Sequence, residues 1–128
     1  MEAREKIRSF TDLDAWKEAY KLTLELYKLT KQFPKEELFA LVIQLRRAVI
    51  SITSNIAEGF SRQSYKEKVQ FYSISLGSLS EVQNQLYVSK GLNYITQKDF
   101  DTIAQQTIVV SKLLNGLIKG ARGIIQNS

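Results

Sequence analysis

Between Leu38 and Phe60 the apolar residues fall on two adjacent stripes of one helix, and no single partner surface can cover both. At about 100° per residue, Leu38, Leu41, Val42, Leu45, Ala48, Val49, Ile52, Ile56 and Phe60 share one side. Phe39, Ile43, Ile50 and Ala57 form a second stripe beside it, so the apolar arc covers well over half the circumference, wider than a one-sided core stripe. Arg46 and Thr53 project among that second stripe, where a buried guanidinium needs a carboxylate or backbone carbonyls. Gln44, Arg47, Ser51, Ser54, Asn55 and Glu58 fill the remaining sector as a mixed polar ribbon, open to reading as an interface or a ligand site. Such a helix suits the centre of an oligomer. Phe39, Ile43, Arg46, Ile50 and Ala57 are the expected contacts between copies.

The rest of the chain supplies partners for this helix. Residues 1–10 read as a tail, and Thr11, with Asp14 three residues on, is placed to cap a first helix that runs to about Gln32. Its seams are Ala15, Ala19, Leu22, Leu26 and Leu29 on one side, and Leu13, Trp16, Tyr20, Tyr27 and Thr30 on the other; aromatics at this spacing pack in a core or interface. Phe33-Pro34 stops that helix, and the central one follows to Gly59 or Phe60. Ser64 and Glu67 form a capping box for a third helix with the stripe Tyr65, Val69, Tyr72, Leu76, Leu79 and Leu86, flanked by Phe71 and Val82. Gly77 in its interior predicts close approach of another helix, since glycine there costs about 1 kcal/mol relative to alanine. Gly91-Leu92 marks its end. Thr96, Asp99 and the pair Ile95 and Phe100 start a fourth helix, with Phe100, Ile103, Thr107, Val110, Leu114 and Leu117 inward and Ala104 and Ile108 beside them. The connections are short, so the expected fold is an all-α, antiparallel, up-down-up-down four-helix bundle over 11–120, with 121–128 as a C-terminal tail.

Composition narrows the chemistry. With no cysteine and no histidine among 128 residues, disulfides, thiolate or imidazole metal ligands and Cys- or His-based catalysis are excluded. Carboxylates alone suffice for magnesium, but Glu58, Glu67 and Glu81 are spread along two helices, and no phosphate-binding glycine loop or nucleophile elbow is present. No catalytic residue, metal or cofactor is therefore expected. No uncharged apolar run approaches the roughly 18 residues of a membrane span, and the first residues lack the apolar region of a signal peptide; a cytoplasmic protein without a membrane partner is expected. Eighteen Lys and Arg against thirteen Asp and Glu, a formal net charge of +5, permit a polyanionic partner and serve solubility equally well.

Gln44-Leu45-Arg46-Arg47-Ala48 followed by Ser54-Asn55-Ile56-Ala57-Glu58-Gly59 resembles the signature of the four-helix-bundle proteins encoded in intervening sequences of bacterial 23S ribosomal RNA genes. Leu13, Trp16 and Phe33-Pro34 upstream, and Arg62, Phe71, Gly77-Ser78-Leu79, Glu81 and Gln85-Leu86 downstream, extend the likeness over roughly residues 10–119. Thr53 departs from it, standing where that family commonly has proline. The resemblance implies a closed homo-oligomer, with a pentamer favoured. Through its relation to accessory proteins of diversity-generating retroelements, it also implies structured RNA and a nucleic-acid enzyme such as a reverse transcriptase as partners. Arg47, Arg62, Lys66 and Lys68, on or near the hairpin of the second and third helices, are the expected phosphate contacts. Arg46 is assigned instead to a structural ion pair. The alternative is a protein-interaction scaffold with no direct nucleic-acid role.

Overall fold

Four apolar stripes separated by short connections can satisfy one another only by packing in sequence and then closing the ring, the last helix against the first. That is the arrangement in a computed structural model of the chain, which describes residues 6–127. The helices are α1 (Asp14–Thr30), α2 (Ile43–Ser61), α3 (Tyr65–Gly91) and α4 (Gln97–Gln126), and each packs on its sequence neighbours while α4 also packs on α1. Leu22, Leu26, Leu45, Val49, Ile52, Ile56, Leu79, Val82, Leu86, Val110 and Leu114 are the fully buried centre. Among the described residues no strand is present.

The helix starts follow local chemistry, in part at other residues than expected. Ser9, not Thr11, is the first cap: it opens a 3-10 turn, Phe10–Asp12, and the Asp12 carboxylate accepts from the Arg8 and Ser9 amides at 2.9 and 3.0 Å. Of the expected N-terminal tail, residues 1–5 lie outside the described residues, and Ser9 and Phe10 already belong to this turn. After Pro34 a second 3-10 turn, Lys35–Glu37, leads into one π-helical stretch, Leu38–Val42, before α2 proper. The π-turn carries more residues per revolution than an α-helix, so it rotates everything ahead of Ile43 out of phase. Leu38, assigned to the core at α-helical spacing, is consequently 47% exposed, and Leu41 is half-buried.

Ser64 Oγ accepts from the Glu67 amide at 3.1 Å as expected, and the Glu67 carboxylate accepts from the Ser64 hydroxyl at 3.3 Å. Tyr65, first of the predicted α3 stripe, is exposed. Ser75, Ser78 and Ser89 are buried in that helix instead. Small residues do draw α2 and α3 together, but Gly77 is not the one responsible: a Cβ there would meet nothing within 4 Å, whereas a Cβ at Gly59 would lie 2.7 Å from Tyr72 Cε1 and 3.0 Å from Phe71 Cβ. Ser75 Oγ donates to the Ile52 carbonyl at 2.9 Å across the same seam. At its far end α3 closes in a Schellman motif whose left-handed residue is Asn93 (φ 63°), two positions beyond the expected glycine stop. The Tyr94 amide donates to the Ser89 carbonyl and the Asn93 amide to the Lys90 carbonyl. Thr96 caps α4 by accepting from the Asp99 amide at 3.0 Å, and Ile95 and Phe100 are both buried. Helix α4 continues through Gly116, Gly120 and Gly123 to Gln126, with Ile118 and Ala121 buried, so the expected tail from residue 121 is helix. Leu117 is half-buried and Ile108 exposed.

The α1–α2 and α3–α4 connections meet at one end of the bundle, where Phe33 and Tyr94 rings lie 5.5 Å apart and Tyr94 Oη donates to Glu37 Oε1 at 3.1 Å. Residues 35–61 are long and apolar enough to cross a membrane by composition. In this fold Leu45, Val49, Ile52 and Ile56 of that segment form the bundle core.

Candidate nucleic-acid interface

The α2–α3 hairpin carries all four cations expected to meet phosphate, and the structure divides them into two kinds. Lys68 is a helix cap: its Nζ donates to the Phe60 carbonyl at 2.7 Å and the Gly59 carbonyl at 3.4 Å, at the negative end of α2. The Phe60 and Tyr65 rings flank it, and burial pushes the ammonium down from its ordinary value. Arg62 is half-buried, forms an ion pair with Glu58, and lies 4.7 Å from the centre of the Phe71 ring. Its Nε is buried without a hydrogen-bond partner among the described residues. Lys66 and Arg47 are exposed, and neither makes a hydrogen bond or ion pair with a described residue. Of the four expected cations, Arg47 and Lys66 are thus left without a partner among the described residues, whereas Lys68 is engaged at the end of α2 and Arg62 with Glu58.

Arg47 stands on the wall of an open cleft of about 340 Å³ between α2 and α3. Gln44, Ala48 and Ser51 share its wall, and Ser78, Glu81 and Gln85 face them. Both polar sets repeat at i, i+3 and i+7 (44, 47, 51 and 78, 81, 85), the spacing that keeps a residue set on one helix face. A hydrogen bond of 2.8 Å from Ser78 Oγ to Ser51 Oγ closes the floor, and Asn55 Nδ2 donates to the Ser51 carbonyl and hydroxyl. Gln85 keeps a buried Oε1 without a hydrogen-bond partner among the described residues. Six of the seven lining residues, all but Ser51, are among the residues that carry the family resemblance, three in its first motif and three in the downstream stretch. The polar ribbon of α2 had marked one wall of this cleft; the matching period in α3 was the unread signal for the other.

Arg46 turns the opposite way. Its Nε donates to Thr30 Oγ1 at 3.0 Å, its terminal nitrogen to the Tyr27 carbonyl at 3.3 Å, and its guanidinium lies 4.5 Å from the Tyr27 ring centre. The expected ion pair is corrected: the acceptors are a hydroxyl and a carbonyl of the last turn of α1, where the helix dipole favours a cation. Of the expected contacts between copies, Phe39 is 87% exposed and Ile50 is 42% exposed, while Ile43 and Ala57 are half-buried. Of the acidic residues, Glu58 pairs with Arg62, Glu67 with Ser64, and Glu81 lines the cleft. Among the described residues no three acidic side chains are grouped to hold a metal ion.

A family model described as 23S rRNA-intervening sequence protein matches residues 11–116. A solved structure from Bacteroides thetaiotaomicron VPI-5482, described as a protein with unknown function from the S23 ribosomal protein family, superposes with a TM-score of 0.76 at 24% identity. The match covers 82% of this chain and 95% of that one. At that identity the likeness concerns the fold. No curated protein matches the chain.

Proposed function

The chain belongs to the 23S rRNA-intervening sequence protein family, and from that premise we propose that it is a non-enzymatic, homo-oligomeric bundle, with a pentamer favoured, that associates with structured RNA through phosphate contacts. The observation that carries the reading is the pair Arg47 and Lys66, exposed on the α2–α3 hairpin with no carboxylate among the described residues holding either. Arg62 contributes more weakly, because Glu58 already shares its guanidinium. Contacts of this kind position a backbone and carry no base sequence, which suits recognition of shape in structured RNA. The retroelement likeness adds a nucleic-acid enzyme such as a reverse transcriptase to the partners worth testing.

The test is affinity for a folded RNA between about 50 and 200 mM salt, where each phosphate contact contributes roughly 0.7 to 0.9 to the slope of log affinity against log salt. Lys66→Ala should lower that slope at unchanged helicity. Lys68→Ala should lower the melting temperature while leaving the slope alone, because its ammonium serves the end of α2. A wild-type protein with no salt-sensitive RNA binding would hand the function to the scaffold reading. The outward Phe39 favours that alternative, since so exposed an aromatic residue suits protein contact.

A further inference from the structure

Phe39 projects into solvent from the π-helical stretch that precedes α2, and toward the same end of the bundle other helices hold a largely apolar hollow. Between α3 and α4 lies a cavity of about 220 Å³ walled by Leu86, Tyr87, Phe100, Ala104 and Ile108. Two of its polar lining side chains are already paired with each other, Gln83 Nε2 donating to Thr107 Oγ1 at 3.1 Å, and the larger part of the open lining is apolar. Tyr87 is 66% exposed, and its ring stands 5.0 Å from that of Phe100 at 60°, leaving an aromatic lip. A dry apolar cavity of roughly 150 Å³ holds a benzene ring, so this one has room for a phenylalanine side chain. Phe39 cannot be its occupant within one chain, because its own side chain is almost wholly exposed.

We infer that Phe39 of one copy seats in the α3–α4 hollow of the next, and that this knob and socket is the repeating junction of a head-to-tail assembly. The inference rests on the homo-oligomeric part of the proposed function and supplies the half of the interface that the stripe on α2 lacks. The occupant is a second copy because this one chain presents both halves. Knob and socket are different surfaces, so the contact is heterologous, and it propagates into a ring or a filament instead of ending at a two-fold dimer.

The experiment uses the full chain and two variants on exposed sites, Phe39→Glu and Ile108→Glu. Neither should unfold the bundle: a carboxylate near the start of a helix meets its positive end, and glutamate is a good helix former at position 108. Helicity and melting temperature verify this. Each variant alone should sediment at the 14.7 kDa of one chain. An equimolar mixture should form a species of twice that mass and nothing larger, because an intact socket from the first meets an intact knob from the second once only. If either folded variant keeps the wild-type mass, or the mixture stays monomeric, the junction is wrong while the oligomer stands. A wild-type protein that is itself monomeric overturns both together.

Discussion

Arg46 and Arg47 are adjacent in the chain and serve opposite sides of the molecule. The first reaches across to α1, where a hydroxyl, a carbonyl and an aromatic face receive it. The second, one helical step of about 100° further round, faces the α2–α3 cleft and forms no ion pair with a described side chain. Identical chemistry thus becomes a fastener on one flank of α2 and a free cation on the other. What separates them is neither charge nor propensity but which neighbour lies across the groove, and substitutions that distinguish stability from binding can break the comparison.

The largest expected effect is on the fastened side. Arg46→Ala removes charge-assisted hydrogen bonds to the last turn of α1 and leaves the Thr30 hydroxyl and Tyr27 carbonyl without that partner. A loss of about 1.5–3 kcal/mol follows, readable as a lower midpoint in urea. Arg46→Lys should recover only part, since an ammonium cannot reproduce the planar fork or its seat on Tyr27. A midpoint unchanged by the alanine variant would mean that the α1–α2 flank is no more fastened than the cleft.

The cleft side is held by close backbone approach instead, and two glycines test that. Gly59→Ala drives a methyl against the buried Tyr72 ring and the base of Phe71, an overpacking of about 1–3 kcal/mol. Gly77→Ala meets open space and should stabilise α3 by about 0.5–1 kcal/mol through helix propensity. Thermal melts of the two variants should move in opposite directions. Equal shifts would refute the assignment of the tight seam to Gly59.

Both glycines lie in motifs of the family resemblance, yet the sequence reading gave the tight approach to the wrong one. Periodicity identifies a helix face, but not which point of that face comes nearest its neighbour. The same limit explains Leu38: a uniform step of about 100° places it in the core, and the π-turn Leu38–Val42 displaces it. Caps fared better where the chemistry is local, as at Ser64 and Thr96, and failed at Thr11, where Ser9 competes for the same turn. At the candidate interface, residue type and position suggested Arg62, Lys66 and Lys68 as exposed contacts, with Arg47 added to them. Lys68 departs from that because its acceptors, the carbonyls ending α2, become neighbours only when the hairpin closes, whereas Arg62 departs through Glu58 four residues earlier, a local spacing that helical geometry already brings together.

A smaller effect belongs to the far flank of α1, which meets α4 through one polar bond set. Gln106 Nε2 donates to Glu18 Oε2 at 2.8 Å and to its carbonyl at 3.1 Å, and the Gln106 bond, ahead of Lys21, holds the Glu18 carboxyl below its ordinary value. A depressed carboxylate stabilises the fold above its unfolded pKa, and that contribution disappears as pH falls through the folded value. Acid titration of stability should therefore be shallower in Gln106→Ala than in wild type. Parallel curves would show that the bond contributes nothing to the acid response.

The smallest effect on stability is expected at Arg47, and it decides whether the free cation is a binding group. Arg47→Ala breaks no bond with a described residue, so its unfolding free energy should stay within about 0.5 kcal/mol of wild type, the range of substitutions away from structural features. If the side chain reaches phosphate, the salt slope of RNA affinity should nevertheless fall by roughly 0.7 to 0.9 for each engaged subunit. Glu81 faces Arg47 across the cleft and opposes the same anion, so Glu81→Gln should strengthen binding at every salt concentration. The double variant then separates two origins of the Glu81 effect. If Glu81 acts by repelling phosphate held at Arg47, the benefit of its removal shrinks once Arg47 is alanine; if it acts on the general field of the protein, the benefit persists. Arg47→Ala binding RNA with the wild-type slope would leave the cleft cation without a role in phosphate contact, and Lys66, with the weaker Arg62, would have to carry the interface.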